Sequence, residues 1–145
     1  MTVDAQHGLY LRRDGTWLED GEEVTHPRLA ALLHRSIARA PDGSLVVTTG
    51  RDVRPIACED LPLRVLWVDL PGDDVLLHLS NERTEPLKPE SLLVDVDDSW
   101  RCLADGNLGA RFTRAAQLQL AEHVTEESGG FVLRVGARTL PLRAA

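Results

Sequence analysis

Histidines, carboxylates, cysteines and arginines are the side chains of this 145-residue chain that could do chemistry, and their spacing limits which chemistry that is. His78 stands out, because it sits inside the apolar run Val75-Leu76-Leu77-His78-Leu79, where strand alternation turns it opposite to Leu77 and Leu79. As a general base it would need a carboxylate or a nucleophile within reach, and Asp95 and Asp97 are the carboxylates that would serve a small hydrolase or isomerase. The favoured reading is plainer: a satisfied or solvent-facing strand histidine, since no paired nucleophile is visible. Of the other histidines, His26 reads as the start of a helix, while His34 and His123 read as polar-face helix residues. No two of the five, His7 included, have the i, i+4 or x3 to x5 spacing that places imidazoles around one metal. Cys58 and Cys102 lie 44 positions apart, which is neither a disulfide framework nor a zinc pair, so both read as small buried hydrophobes. Asp95-Val96-Asp97-Asp98 resembles the start of a calcium loop, but Trp100 stands where that loop needs glycine and Gly106 where it needs glutamate. A GxSxG elbow, a GxxxxGK[ST] loop and a GxGxxG turn are all missing. The expectation is no metal, no cofactor and no catalytic residue.

Charge sharpens the question of partners. Sixteen basic against 23 acidic side chains give a net charge of −7, which repels phosphate backbones and anionic headgroups, so neither nucleic acid nor a membrane surface is expected. The basic residues are fifteen arginines and Lys88, scattered without a run, which fits GC-rich bacterial codon usage. Met1 to His7 lacks the cationic start and apolar core of a secretory signal, and a cytoplasmic location is expected. Arg51, Arg54 and Arg83 fall on or beside the loops near Gly50 and Asn81 to Ser91, and with His78 and Asn81 they make up the candidate ligand-binding set. A charged ligand there would be an anion held by guanidinium forks; the plainer alternative is that these arginines are solvated or paired with Asp52, Glu82 and Glu85.

These residues need elements to hold them. Leu9 to Arg13 and Thr16 to Leu18 flank Asp14-Gly15 as a hairpin, and Asp20-Gly21 marks a second turn. Leu29, Leu32, Leu33 and Ile37 follow a helical period that Pro41-Asp42-Gly43 ends. Leu45 to Thr49 and Val53 to Ala57 read as strands joined at Gly50, and Leu63 to Leu70 with Val75 to Leu79 form the strongest hairpin. Asn81 to Ser91, with two prolines and three glutamates, reads as a mobile linker. Strands at Leu92 to Val96 and Trp100 to Leu103, a helix from Phe112 to Val124, and strands at Phe131 to Val135 and Thr139 to Leu142 complete the chain.

The two ends can be laid over each other. Gly43, Gly50 and Pro55 fall on Gly129, Gly136 and Pro141 at an offset of 86, and Asp14-Gly15-Thr16-Trp17 falls on Asp97-Asp98-Ser99-Trp100 at 83. The reading is an α+β fold of two similar β-β-α-β-β halves, residues 1–58 and 59–145, the second holding an added central hairpin. Halves of ~55 residues bury too little surface to stand alone, so they are expected to pack together.

The stretch Asp14-Gly15-Thr16-Trp17-Leu18-Glu19-Asp20-Gly21-Glu22-Glu23-Val24-Thr25-His26-Pro27-Arg28-Leu29 resembles the opening of the bacterial family catalogued as domain of unknown function (DUF) 1285. Glu59 to Leu70 is similar to that family's central strand, and Ser80-Asn81 stands where members carry a polar pair. The chain departs from the pattern in being short between Asn81 and Ser91 and in lacking a glycine soon after Asn81. The resemblance implies an α+β fold of two similar halves, no assigned enzymatic activity and a role in binding or signalling. Its expected partner is an unidentified small molecule or protein, met where the halves join. The alternatives are a small carboxylate and histidine enzyme, and a homodimer paired through an exposed edge strand.

Overall fold

The short alternating segments at the start of the chain become strands because each has one face to bury. The computed structural model describes residues 2–145 and divides into two units, Met1–Pro62 and Leu63–Ala145. In the first, β1 (Leu9–Leu11) and β2 (Trp17–Glu19) pair antiparallel with Leu11 opposite Trp17. Gly15 closes this hairpin at φ 93°, and the Asp14 carboxylate accepts the Thr16 N–H at 2.9 Å. After β3 (Glu22–Glu23) come α1 (Pro27–Arg35), β4 (Ile37–Arg39), β5 (Leu45–Thr49) and β6 (Asp52–Cys58). They form one sheet of order β3-β2-β1-β6-β5-β4 in which β1 and β6 run parallel. Its core is Leu9, Leu11, Trp17, Leu33, Val47 and Ile56.

Helix α1 ends earlier than its leucine period suggests. Pro27 opens it, and His26 caps it by accepting the Leu29 N–H on Nδ1 at 3.4 Å. The Ser36 hydroxyl donates to the Leu32 carbonyl at 2.6 Å, and the next residue, Ile37, pairs with Val47 as the first residue of β4. Ile37 is buried as expected, but as a β-branched strand residue and not as the last helical turn before Pro41.

The second unit contains β7 (Leu63–Asp69), β8 (Leu76–Leu79), β9 (Thr84–Pro86), a 3₁₀ turn (Pro89–Ser91), β10 (Leu93–Val94), β11 (Trp100–Ala104) and β12 (Leu108–Phe112). Then follow α2 (Arg114–Ala121), β13 (Val124–Glu127), β14 (Gly130–Val135), β15 (Arg138–Pro141) and β16 (Arg143–Ala144). Seven strands form a sheet of order β16-β10-β11-β12-β7-β8-β9, and β13-β14-β15 form a separate antiparallel sheet. Strand β7 runs parallel to β12, antiparallel to β8, and carries a bulge between Val65 and Trp67. The alternate residues Leu63, Val65, Leu77, Leu79, Cys102, Ala104, Ala110 and Phe112 are buried, with Ala116 and Leu120 of α2.

Two expectations need correction here. Phe112, Ala116, Leu120 and Val124 are spaced by four, but only the middle two are helical: Phe112 ends β12 and Val124 begins β13. The boundary is set by Thr113, whose Oγ1 accepts the Ala116 N–H at 3.1 Å while its hydroxyl donates to the Leu66 carbonyl at 3.1 Å. The segment Asn81 to Ser91 is built into the sheet: Thr84–Pro86 is strand β9, Leu87 is buried, and the Leu87 N–H donates to the Val75 carbonyl at 2.8 Å. Its prolines are tolerated because β9 is an edge strand and Pro89 opens a 3₁₀ turn.

Candidate functional site

Register across β7, β8 and β9 sets Trp67 opposite His78 and His78 opposite Thr84, so three side chains fall in one row of the sheet. The rings of Trp67 and His78 are stacked with centroids 4.5 Å apart at 14°. His78 Nε2 lies 2.6 Å from Asp69 Oδ2, and Nδ1 lies 3.2 Å from Thr84 Oγ1. With Nε2–H donating to Asp69, Nδ1 accepts from the Thr84 hydroxyl, which is the proton order of a hydroxyl, imidazole and carboxylate triad. Position argues against that use. The Asp69 side chain is 61% exposed, Thr84 is an exposed edge-strand residue, and none of the four residues lines either of the two cavities described below. A nucleophile needs a concave site with donors aimed at a developing oxyanion, and this row is the open face of a sheet.

His78's carboxylate is therefore Asp69, not the Asp95 or Asp97 of the sequence reading. Asp95 is held by Arg111 at 2.6 Å and Arg101 at 3.4 Å, and Asp97 accepts the backbone N–H and the hydroxyl of Ser99 at 3.1 and 2.5 Å. A signal for Asp69 exists in the sequence: it lies nine residues upstream across the hairpin loop, and Trp67 to Asp69 pair with His78 to Leu76 in unbroken register, which sets Asp69 and His78 on one face of the sheet.

Asn81 is the one buried polar residue of the described chain, at 2% exposure. Its Oδ1 accepts the Arg83 N–H at 3.1 Å and its Nδ2 donates to Asp105 Oδ2 at 3.1 Å. The Arg83 guanidinium donates to the other Asp105 oxygen at 3.2 Å, the Asp105 N–H donates to Glu85 at 2.7 Å, and Lys88 Nζ donates to the Gly106 carbonyl at 2.8 Å. Together these bonds fasten the β8–β9 turn to the β11–β12 turn, while the Ser80 hydroxyl accepts the Arg64 N–H at 3.0 Å. In the first unit Arg54 pairs with Glu19 at 3.0 Å, both about half exposed, and Arg51 lies exposed in the β5–β6 turn. The five candidate residues thus divide between units: Arg51 and Arg54 in the first, His78, Asn81 and Arg83 in the second.

Each unit has an open cavity of its own. One of about 550 Å³ in the first unit is lined by Glu19, Asp20, Glu22, Glu23, His26 and Leu29 among others. One of about 490 Å³ in the second lies beside β10 and β14, with Val96, Trp100, Phe131 and Leu142 as its apolar walls. Among the described residues no group of three or more His, Cys, Asp or Glu side chains could hold a metal ion. Burial pushes the Cys58 thiol up to about 11, with Asp60 adding repulsion, and the Cys102 thiol up to about 12, with Glu85 adding repulsion. Neither is set up as a nucleophile. Among the described residues no helix is long and apolar enough to cross a membrane.

No family model and no curated protein matches this sequence. Two solved structures share its fold. A DUF1285 family protein from Silicibacter pomeroyi DSS-3 is 17% identical with a TM-score of 0.76, over 94% of this chain and 79% of that one. A DUF1285 family protein from Shewanella baltica OS155 is 15% identical with a TM-score of 0.66, over 82% of this chain and 94% of that one. The chain therefore has a DUF1285-like α+β fold, mostly sheet with two α-helices among the described residues.

Proposed function

We propose that this protein is a non-catalytic binding or regulatory module, built on a duplicated α+β unit. Local geometry supports the duplication. At an offset of 83, the pair Leu11 and Trp17 corresponds to Val94 and Trp100, and the bond from Arg12 N–H to Thr16 corresponds to that from Asp95 N–H to Ser99. Asp14 capping Thr16 corresponds to Asp97 capping Ser99. His26 and Thr113 both cap helices, and Gly50 and Gly136 turn the chain at φ 61° and 57°. A parallel pair closes each set, β1 with β6 and β10 with β16. On this reading the halves are residues 1–58 and 59–145, with the β7–β8 hairpin added to the second.

The observation that carries the binding reading is the separation, in the second unit, of reactive groups from concavity. His78, Asp69 and Thr84 lie on an open sheet face, while the cavity of the second unit is walled by apolar side chains and has no histidine or cysteine. A catalytic site needs titratable groups converging in a pocket; a binding site needs shape and a few polar groups. A thermal-shift screen of metabolites and small ions tests the reading. A saturable rise in midpoint with concentration is expected for at least one compound, and a complete absence of shifts would remove it. Hydrolytic turnover abolished by both His78→Ala and Thr84→Ala would install the enzyme alternative instead.

A further inference from the structure

We propose that the cavity of the second unit is a site for a small organic cation, an ammonium group carried on an aromatic or alkyl body. This rests on the binding reading above and names the ligand class. The volume of about 490 Å³ falls within the range of small-molecule pockets. Two of its walls are apolar side chains left in water: Phe131 is 57% exposed and Val96 fully so. Exposed apolar residues scattered singly need no explanation, but these two line one cavity with Trp100 and Leu142.

The polar groups of the cavity choose the sign of the ligand. Gln117 is spent on backbone, its Oε1 accepting the Trp100 N–H at 3.1 Å and its Nε2 donating to the Asp98 carbonyl at 2.8 Å. Asp95 is compensated by Arg111 and Arg101. Asp98 lines the same cavity, and its carboxylate has no partner among the described residues. No lysine or arginine lines the cavity, so an anion would meet Asp98 with nothing to offset it. An ammonium group would gain that carboxylate, and the exposed face of Phe131 attracts cations through its ring quadrupole. At the offsets of the duplication the first unit carries Gly15 for Asp98 and Leu45 for Phe131, so both features belong to the second unit alone.

The experiment titrates the full chain with 4-phenylbutylammonium, 4-phenylbutanol and 4-phenylbutyrate, following backbone amide shifts. The expected result is perturbation at Val96, Asp98, Phe131 and Leu142, with the cation bound about tenfold more tightly than either counterpart. Asp98→Asn should weaken the cation about fivefold or more and leave the alcohol unchanged, while Glu126→Gln, which removes a charge outside the cavity, should change neither. Phe131→Ala should weaken all three. Equal binding of the three probes in this cavity would overturn the cation assignment while leaving the binding reading standing. No binding by any probe at ~10 mM would overturn the site itself, and the wider screen then decides the general reading separately.

Discussion

Gln119 stands in for a missing strand beside Val68. Its Oε1 accepts the Val68 N–H at 2.9 Å and its Nε2 donates to the Val68 carbonyl at 3.1 Å. The need arises because β12 pairs with β7 only as far as Val65, while Val68 is buried at 2% exposure. Backbone groups left there without a partner would lose their bonds to water and gain none. Gln119→Leu is therefore expected to cost roughly 1–3 kcal/mol by urea unfolding. Leu118→Ala, at an exposed position of the same helix, should lie within about 0.5 kcal/mol of the parent. Equal effects from the two would show that water takes over the Val68 groups.

Gly136 and Gly50 both have positive φ, at 57° and 61°, but only Gly136 is crowded. A Cβ there would overlap the Asp73 carboxylate and sit 2.8 Å from the Gly72 carbonyl, whereas at Gly50 it would meet nothing within 4 Å. Gly50→Ala should cost about 1 kcal/mol, the conformational penalty alone. Gly136→Ala should cost clearly more, because Asp73 must move and with it the bond it accepts from the Ala137 N–H at 2.8 Å. Similar losses at the two positions would mean that the Gly72–Asp73 turn gives way freely.

How far the sequence carried these conclusions depends on whether a segment's own residues show the pattern of the element they form. The Asp14-Gly15 turn, the cap at His26 and the β7–β8 pairing are local, and turn chemistry and alternation identify them within a few residues. The end of α1 at Ser36 and the strand at Thr84–Pro86 were not legible. Neither shows in the segment's own residues, although the partners are near in the chain: pairing with β5 draws Ile37 out of the helical pattern, and Thr84-Glu85-Pro86, with a proline and no apolar alternation, joins β8 as an edge. The candidate residues show the same division. Alternation sets His78 on its strand and Asp69 on the same face across the hairpin loop, whereas nothing in the sequence joins Asn81 to Asp105, 24 residues on in the β11–β12 turn.

Trp17 and Trp67 offer a contrast in burial. Trp17 is 1% exposed, edge-on to His34 with centroids 5.5 Å apart, and its indole N–H meets no acceptor. Trp67 is 48% exposed. Trp17→Ala should cost ~3–5 kcal/mol, and Trp17→Phe distinctly less, since it keeps an aromatic ring and removes the unmatched donor. Trp67→Ala loses the stack on His78, about 0.5–1.5 kcal/mol, with part of the ring's area already in water. Denaturation midpoints of the three variants rank them, and a Trp67→Ala loss equal to that of Trp17→Ala would refute the difference.

Cys102 gives a pH dependence whose sign follows from burial. Its thiol rises from an ordinary 9.0 to about 12, chiefly because burial penalises the thiolate, with Glu85 adding repulsion and Lys88 opposing it. Unfolding returns the group to water, where it ionises near its ordinary value, so above that pH the unfolded chain binds fewer protons than the folded one. Stability from this group is therefore whole below pH 9.0 and is lost progressively as the pH rises toward about 12. Cys58, raised to about 11, acts in the same direction over a narrower window. Cys102→Ala shifts stability by a constant packing term, so the comparison lies in the slopes: between pH 9.0 and about 11 the parent should lose stability faster than the variant. Iodoacetamide at pH 8 provides an independent check. Cys102, 1% exposed and protonated, should be alkylated only at the rate at which the chain opens, and denaturant should release it. Parallel slopes together with rapid native-state alkylation would place this thiol in water and contradict the packing of β11.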